Sequence, residues 1–552
     1  MKQYRLRERT HEDLLDDLLA ARGVSPESRE VFLNPSFERD SHDPFLLPGM
    51  SAAVERILAA QKNNEKAAVW SDYDCDGIPG GVMLTQFLRT LGLEVIHYIP
   101  HRHTEGYGLN LEGLDELKSQ GISLIITVDL GTTDVEPVAH AKKLGIDIIV
   151  TDHHIVSPGH AEPLALINPK HPDSQYPFDG LCGAGVAWKL VQAVLSKNRP
   201  EGFLEGQEKW FLDLVGLATL SDMVPLRGEN RMLAHFGLTV LRRGRRPGLA
   251  ALLELLRIRP AGLTEDDIGF MVSPRLNAAS RMDTPQLAAR LLAAKEKAEA
   301  EALARELDKI NNERKGLVAA TVKEANKRLH ASGLVESPVI VMGNPNWRPG
   351  VLGLVANKLA EAHQKPVFLW GREGGELIRG SVRSGGGVSV VELMREAGEA
   401  FEHFGGHHAS GGFSLDETRV HELPARLRTA YEKISAGACA AEPVVIDRES
   451  SVAEVPHALR ELKKLAPFGT GNEKPLFLFP NAAISRVRQF GKANDHLELG
   501  LEQGGASTNG IAFFSTPGSF NKKIETGARA DVVGHIESDW RGQPRVRVVD
   551  IL

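Results

Sequence analysis

Aspartates gather at three points that a parallel sheet would bring to one edge. Asp72, Asp74 and Asp76 lie in SDYDCDG, Asp129 in TVDLG, and Asp152, His153 and His154 in TDHH. Each group directly follows a short apolar run: AAVW (67–70), SLIITV (123–128) and IDIIV (146–150). Asp222, in LATLSDMVP, comes just past an apolar helical pattern and could complete the cluster. Crowded carboxylates repel one another, and each disfavours its neighbour's ionisation. Bound divalent cations would remove that cost. Asp and His donors without cysteine favour Mn²⁺ or Mg²⁺ over structural zinc. Two such ions about 3.5–4 Å apart can clamp a phosphate and turn a shared water into a nucleophile. Taken singly, each feature has a plainer reading, since D-x-D is common in solvated turns and Asp after a strand often caps the next helix. Their recurrence at successive strand ends is what points to a metal centre.

The elements that must position these side chains are legible around them. EVIHYI (94–99) and LALIN (164–168) add two further strands. GGVMLTQFLRTLG, LEGLDELKSQG and DVEPVAHAKKLG read as amphipathic helices ending at glycine. Strand–helix alternation at this spacing predicts a parallel sheet covered on both faces, with its ligand crevice at the carboxyl ends of the strands. A mainly helical stretch follows, and from Thr284 to about Leu329 the helical pattern is almost uninterrupted. No heptad persists, so a single helix of about 65–70 Å tying two domains together is expected rather than a coiled coil. A second α/β unit begins at SPVIVMG, and AGACAAEP (436–443) reads as a linker. PLFLFP, AISRVRQF, HLELGLEQ, NGIAFF, ADVVGHIE and PRVRVVDIL then supply the five or six strands of a small barrel such as an OB fold. The expected division is an N-terminal helical segment (1–50), a parallel-sheet α/β core (51–284), a connecting helix (285–330), a second α/β domain (331–435) and the barrel (436–552).

Bulk properties bound the reading without deciding it. At 552 residues the chain exceeds one core, and 42% hydrophobic with 25% charged residues describes a globular protein. MKQYRLRERTHEDLL lacks the apolar stretch of a signal peptide, and no segment offers roughly 18 uninterrupted apolar residues. Cys75, Cys182 and Cys439 are scattered singly, which argues against a disulfide framework and for a reducing compartment. A cytoplasmic location without membrane attachment is expected. The net charge of −7 gives no support to nucleic-acid binding, but a groove needs only a local excess of Lys and Arg. The run RRGRR (242–246) reads as a solvated turn. CGAGVAW (182–188) lacks the third glycine and the preceding strand of a dinucleotide fingerprint.

SDYDCDG, TVDLG, TDHH and LSDMVP resemble the sequential motifs of the DHH phosphoesterase superfamily. RGVSPESREVFLNP, IPHRHTEGYGLN, INPKHPDSQYPFDGLCGAGVAWKL and GFMVSPRLNAASRM are similar to its single-strand-specific exonuclease branch. WRPGVLGLVANKL, RGSVRSGGG and FGGHHASGGFSL resemble the DHH-associated domain, and LAPFGTGNEKPLF the opening of the branch's OB domain. The resemblance spans about residues 15–552 in matching order. It implies that Asp74 holds a first metal and Asp76 a second, that Asp129 bridges both, and that His153 and Asp222 complete the second. His154 would lie beside the reacting phosphate, and Asp72 would be a ligand or stand just behind one. Trp70 occupies the position where the superfamily's pyrophosphatases carry a metal-binding histidine, so the first ion would bind less tightly. Cys75, Ser280 and Ser410 depart from the usual residues of their motifs, and none of them removes a ligand.

The resemblance also implies how a strand is held. Arg102, Arg281, Arg348 and Arg383 all lie inside these motifs, and the planar guanidinium suits phosphate. Ser381 and Arg383, with Arg102 and Arg281, would form a pocket for a terminal 5′ phosphate. His407 would approach the strand, and Asn277 would orient the Arg281 region. On the barrel, Lys463, Lys464, Arg486, Arg488, Lys492, Lys522 and Lys523 with Phe490, Phe513 and Phe520 would suit single-stranded binding. The implied activity is 5′-to-3′ hydrolysis of single-stranded DNA to mononucleotides in recombination and repair, with single-strand binding protein and a helicase as partners. The alternatives are an oligoribonuclease or bisphosphate nucleotide phosphatase of the superfamily, which would not need the C-terminal barrel, and a non-catalytic replication scaffold, which should have lost ligands.

Overall fold

The computed structural model describes every residue except 1–2, 103, 283, 373–377, 436–442, 492–493 and 521. A short strand, β1 (Tyr4–Leu6), precedes the first sheet, which contains β2 (Lys66–Ser71), β3 (Glu94–Tyr98), β4 (Ile122–Val128), β5 (Asp147–Thr151) and β6 (Ala165–Ile167). All five are parallel, in the order β3-β2-β4-β5-β6. Their near-continuous apolar runs follow from burial on both faces. Ala67, Val69, Leu124, Ile126 and Ile149 pack against helices Met50–Lys62, Gly77–Thr90 and Gly183–Lys197. Their neighbours Ala68, Trp70, Ile125, Ile148 and Val150 face helices Leu111–Ser119 and Val135–Lys143. Trp70 is thus a core residue packed against Tyr98, with ring centroids 4.2 Å apart and the planes tilted by 35°.

The helical run after Thr284 is not one helix. It divides into Gln286–Ala293 and Lys297–Ser332, and the second piece spans about 54 Å rather than 65–70 Å. The chain turns extended at Ala294, ψ 134°. No glycine or proline marks the break. Tertiary contacts make it, with the Arg246 guanidinium donating to the Leu292 carbonyl at 2.8 Å. RRGRR is a turn with Arg242, Arg243 and Arg245 exposed, as expected, but its last residue is tied down: Arg246 also pairs with Asp213 at 2.7 Å.

The second α/β domain holds β7 (Ile340–Asn344), β8 (Val367–Gly371), β9 (Ile378–Arg383), β10 (His403–Gly406) and β11 (Ser410–Leu415), ordered β10-β11-β9-β8-β7. Beyond the expected linker, most of which lies outside the described residues, come β12 (Val444–Ile446) and β13 (Arg448–Glu449). The strands β14 (Phe477–Phe490), β15 (His496–Gln503), β16 (Ala506–Ala512), β17 (Arg529–Ser538) and β18 (Pro544–Ile551) follow, in the order β14-β15-β16-β18-β17. Pairing of β14 with β17 closes the barrel.

The N-terminal segment does not stand apart from the barrel. β1 pairs in parallel with β12, and helix Leu14–Ala21 places Leu14, Leu15, Leu18 and Leu19 in one core with Val455, Leu462, Phe477 and Phe479. Leu47 and Met50, by contrast, belong to the core of the first sheet. A sequence pattern shows that a helix has an apolar face but not which distant core receives it.

Candidate metal centre

The register of the first sheet aligns the aspartates. Ser71 pairs with Val128 and Val128 with Thr151, so residues 72, 129 and 152 stand abreast, one step beyond the strand ends. Their amides continue the ladder: Asp72 N donates to Val128 O at 3.1 Å, Asp129 N to Thr151 O at 2.9 Å and Asp152 N to Ile167 O at 3.1 Å. Asp129 then leaves the strand at φ 66°, a costly conformation that Asp tolerates better than most residues. Asp222 caps helix Leu212–Ser221, which carries it in from the side.

Three overlapping groups of donors converge, each with ligand atoms within 4.8 Å of one another: Asp72, Asp74 and Asp129; Asp129, His153 and His154; and Asp76, His153 and Asp222. His153 Nε2 links them, lying 3.1 Å from Asp129 Oδ1, 3.7 Å from Asp222 Oδ2 and 3.8 Å from Asp76 Oδ2. The structure therefore brings together every metal ligand expected from the sequence. Buried oxygens of Asp72, Asp129 and Asp222 have no hydrogen-bond partner among the described residues.

Electrostatics tell the same story. Burial and then the charge of Asp74 push the Asp72 carboxyl well above its ordinary range. The same two causes raise Asp76 to about 7, although the amides of Gly183 and Ala184 donate to its carboxylate at 2.6 and 2.8 Å. Burial followed by Asp76 and Asp74 raises Asp222 to about 9, and burial followed by Asp76 raises Asp129 strongly. His153 is pulled down to about 3 by burial, which keeps it neutral and ligand-ready. Donor-free buried oxygens and mutually repelling carboxylates are the surroundings that divalent cations relieve, so the residues fit the metals expected.

Asp152, which the sequence reading did not assign to the site, orients the histidines. Its Oδ1 lies 2.8 Å from His154 Nδ1 and accepts from the amides of His153 and His154, while Oδ2 accepts from Thr132 N. Burial acts to lower His154, but this hydrogen bond and the charge behind it raise it overall. CGAGVAW, dismissed as a nucleotide signal, also serves the site. A Cβ on Gly183 would lie 2.5 Å from Asp129 Cβ, so only glycine lets that helix end approach and aim its amides at Asp76. Those glycines were the available signal.

Three arginines from separate elements lie within electrostatic reach of one another and of the carboxylates. The Arg102 guanidinium lies 4.7 Å from the Tyr73 ring centroid. Arg281 donates to Gly350 O across to the second domain, and Arg383 donates to Val382 O. Burial, then repulsion from Arg102, Arg314 and Arg383, lowers Arg281 to about 9. Burial and Arg102 likewise lower Arg383. Ser381 shares β9 with Arg383, His407 lies within electrostatic reach of His154, and Asn277 keeps a buried Oδ1 without a hydrogen-bond partner among the described residues. Arg348 stands at the N-cap position of helix Pro349–His363. On the barrel, Arg486 and Arg488 are both paired with Glu498, at 2.7 and 2.9 Å, so composition overstated its free positive charge. Lys492 lies outside the described residues. Phe514 and Trp540, absent from the sequence expectation, are the barrel's most exposed large apolar residues.

Family models match along the chain in sequence order: the DHH family N-terminal domain over residues 66–219, the DHHA1 domain over 336–435 and the RecJ OB domain over 446–549. A Bacillus subtilis protein named single-stranded-DNA-specific exonuclease RecJ is 34% identical over 97% of this chain and 67% of its own length. The chain belongs to the RecJ family. A RecJ of Salmonella typhimurium is 32% identical, covering 91% of this chain and 90% of its own. RecJ from Thermus thermophilus in complex with Mn²⁺ superposes with a TM-score of 0.80 at 27% identity, covering all of this chain and 79% of that one; its complex with Mg²⁺ gives 0.73 at 26% identity. Among the described residues of this RecJ-family chain, no helix is long and apolar enough to cross a membrane.

Proposed function

We propose that this chain is a metal-dependent exonuclease that releases 5′-mononucleotides from the 5′ end of single-stranded DNA. The observation that carries this reading is a carboxylate–histidine cluster with three mutually repelling arginines, Arg102, Arg281 and Arg383, within electrostatic reach of it. Asp72, Asp74 and Asp129 would hold one divalent cation, Mn²⁺ or Mg²⁺, and Asp76, His153 and Asp222 a second, with Asp129 between them. Such ions supply Lewis acidity toward a phosphoryl oxygen and lower the pKa of bound water.

The chain's own residues do the rest. Arg102, Arg281 and Arg383, with Ser381, take the terminal 5′ phosphate through charge-assisted hydrogen bonds and set the register of the strand. The first internucleotide phosphate then lies over the carboxylates. His154 has Nδ1 committed to Asp152, so Nε2 remains to serve the reacting phosphate and the departing 3′ oxygen. Breaking the P–O3′ bond leaves the shortened strand with a new 5′ phosphate, the group the arginine pocket selects. Each product end is therefore the next substrate. The barrel, with Phe513, Phe514 and Trp540 exposed, offers stacking faces for the trailing strand.

Action in recombination and repair, in the cytoplasm beside a helicase and single-strand binding protein, completes the proposal. The test labels each end of a single strand separately. Mononucleotides should appear first from the 5′ label and only with Mn²⁺ or Mg²⁺ present; earlier release from the 3′ label would overturn the assignment.

A further inference from the structure

One ring in the cleft has no part in the scheme above. Tyr107 lies in the segment between β3 and helix Leu111–Ser119, its residue surface 47% exposed but its hydroxyl turned inward. The hydroxyl donates to the Asp129 carbonyl at 2.9 Å, and the same oxygen lies 3.4 Å from His154 Nδ1. The ring stands edge-on to the imidazole, with centroids 5.9 Å apart. Tyr107 thus touches both the peptide of Asp129, which belongs to two of the three donor groups, and His154 beside it.

The segment is fastened from behind. Asp134 accepts from Leu109 N at 2.7 Å, and Gly108, at φ 91°, leans so closely on it that a Cβ would lie 2.8 Å from both carboxylate oxygens. Asp134 begins helix Val135–Lys143 yet makes no side-chain capping bond there, so its carboxylate serves this segment. Glu105 closes the other end, accepting from His101 N at 2.6 Å and from the Tyr98 hydroxyl. One braced segment therefore carries Arg102 at the phosphate pocket and Tyr107 against His154.

We infer that Tyr107 is a positioning residue for hydrolysis, acting through His154 and the Asp129 peptide; this rests on the two-metal reading above. His154 Nδ1 carries one proton, and its short bond goes to Asp152. The Tyr107 oxygen meets the same edge of the ring and limits its rotation, so that Nε2 keeps one direction. The phenol also supplies the hydrogen bond of the Asp129 carbonyl, which the left-handed turn has taken out of the strand ladder.

Tyr107→Phe keeps the ring and removes only the hydroxyl. With 5′-phosphorylated strands and saturating Mn²⁺, kcat should fall about ten-fold while KM changes less than about two-fold. The deciding measurement is a cycle with His154→Ala, read as single-turnover rates with enzyme in excess. In the His154→Ala background the loss of the hydroxyl should cost less than about three-fold, because the group it positions is gone. Equal losses in both backgrounds, or a raised KM with unchanged kcat, would overturn the inference and make Tyr107 an independent contact to the strand. A wild-type protein that cleaves no strand would instead overturn the reading of function, and this inference with it.

Discussion

The carboxylate cluster and the arginine pocket are both groups of like charge held together against repulsion, but they are built differently. Asp72, Asp129 and Asp152 are set by one backbone ladder, so their spacing is that of neighbouring strands. Arg102, Arg281 and Arg383 come from a loop, a helix and a strand of another domain, and Arg281 reaches across to Gly350. A cation site needs geometry fixed to a fraction of an ångström, which a sheet register supplies. A phosphate site can draw on long side chains from several elements, because each guanidinium adapts its reach. The contrast predicts all-or-none behaviour for the first and graded behaviour for the second.

The largest effect should come from Asp129→Ala, which removes the carboxylate proposed to lie between the two ions. Hydrolysis should fall by about a thousand-fold or more while circular dichroism stays that of the folded chain; near-normal Mn²⁺-dependent turnover would dissolve the distinction at its root. Arg383→Ala should cost about ten- to hundred-fold in affinity for 5′-phosphorylated strands, the value of a charge-assisted hydrogen bond, and much less for 5′-hydroxyl strands. An unchanged preference between the two ends would remove Arg383 from the pocket.

Metal-free protein should reveal the cluster's repulsion as pH dependence. Asp76 and Asp222 titrate near 7 and 9 in the fold but near 3.8 when unfolded, so the folded state binds more protons between those values. Stability then falls as pH rises from about 4 through 7 to 9, and the protons held in the fold are lost along the way. In EDTA, Tm of the unit containing the cluster should decline across that window, and Mn²⁺ should raise it most at the alkaline end. A metal-free Tm that climbs with pH over this range would contradict the arrangement. The smallest effect expected is at the barrel. Glu498→Ala frees Arg486 and Arg488, so binding of long strands should tighten by about two- to five-fold at low salt, with a steeper salt dependence.

Much of the centre was legible because its signal is local. Aspartates immediately after apolar runs define strand ends, and strand ends define the crevice; Asp72, Asp74, Asp76 and Asp129 needed nothing more. Asp222 was harder, since only its place after a helix suggested it. Asp152 was quoted with its two histidines and yet passed over, because a carboxylate that orients a neighbour looks in sequence like one that binds metal. Tyr107 was hidden for a different reason. Its partners lie 22 and 47 residues away, and no spacing rule connects a loop tyrosine to a strand-end carbonyl. The helix break at Ala294 and the docking of the N-terminal helix were likewise invisible, because long-range contacts decide both against a locally uninterrupted pattern.

That docking has a consequence for how the protein is made. Leu14, Leu15, Leu18 and Leu19 are synthesised near the start, whereas their partners begin at Val452. At roughly 5–20 residues per second the ribosome needs about 20–90 s to bridge that interval. Well before it ends the strands of the parallel sheet, all of which lie between Lys66 and Ile167, are available to pair, while the helix's apolar stripe has no home. The stripe must wait in water, in the grip of a chaperone or against the wrong surface. Completion of the barrel is therefore a late, long-range event, and the earliest residues made are among the last to be buried.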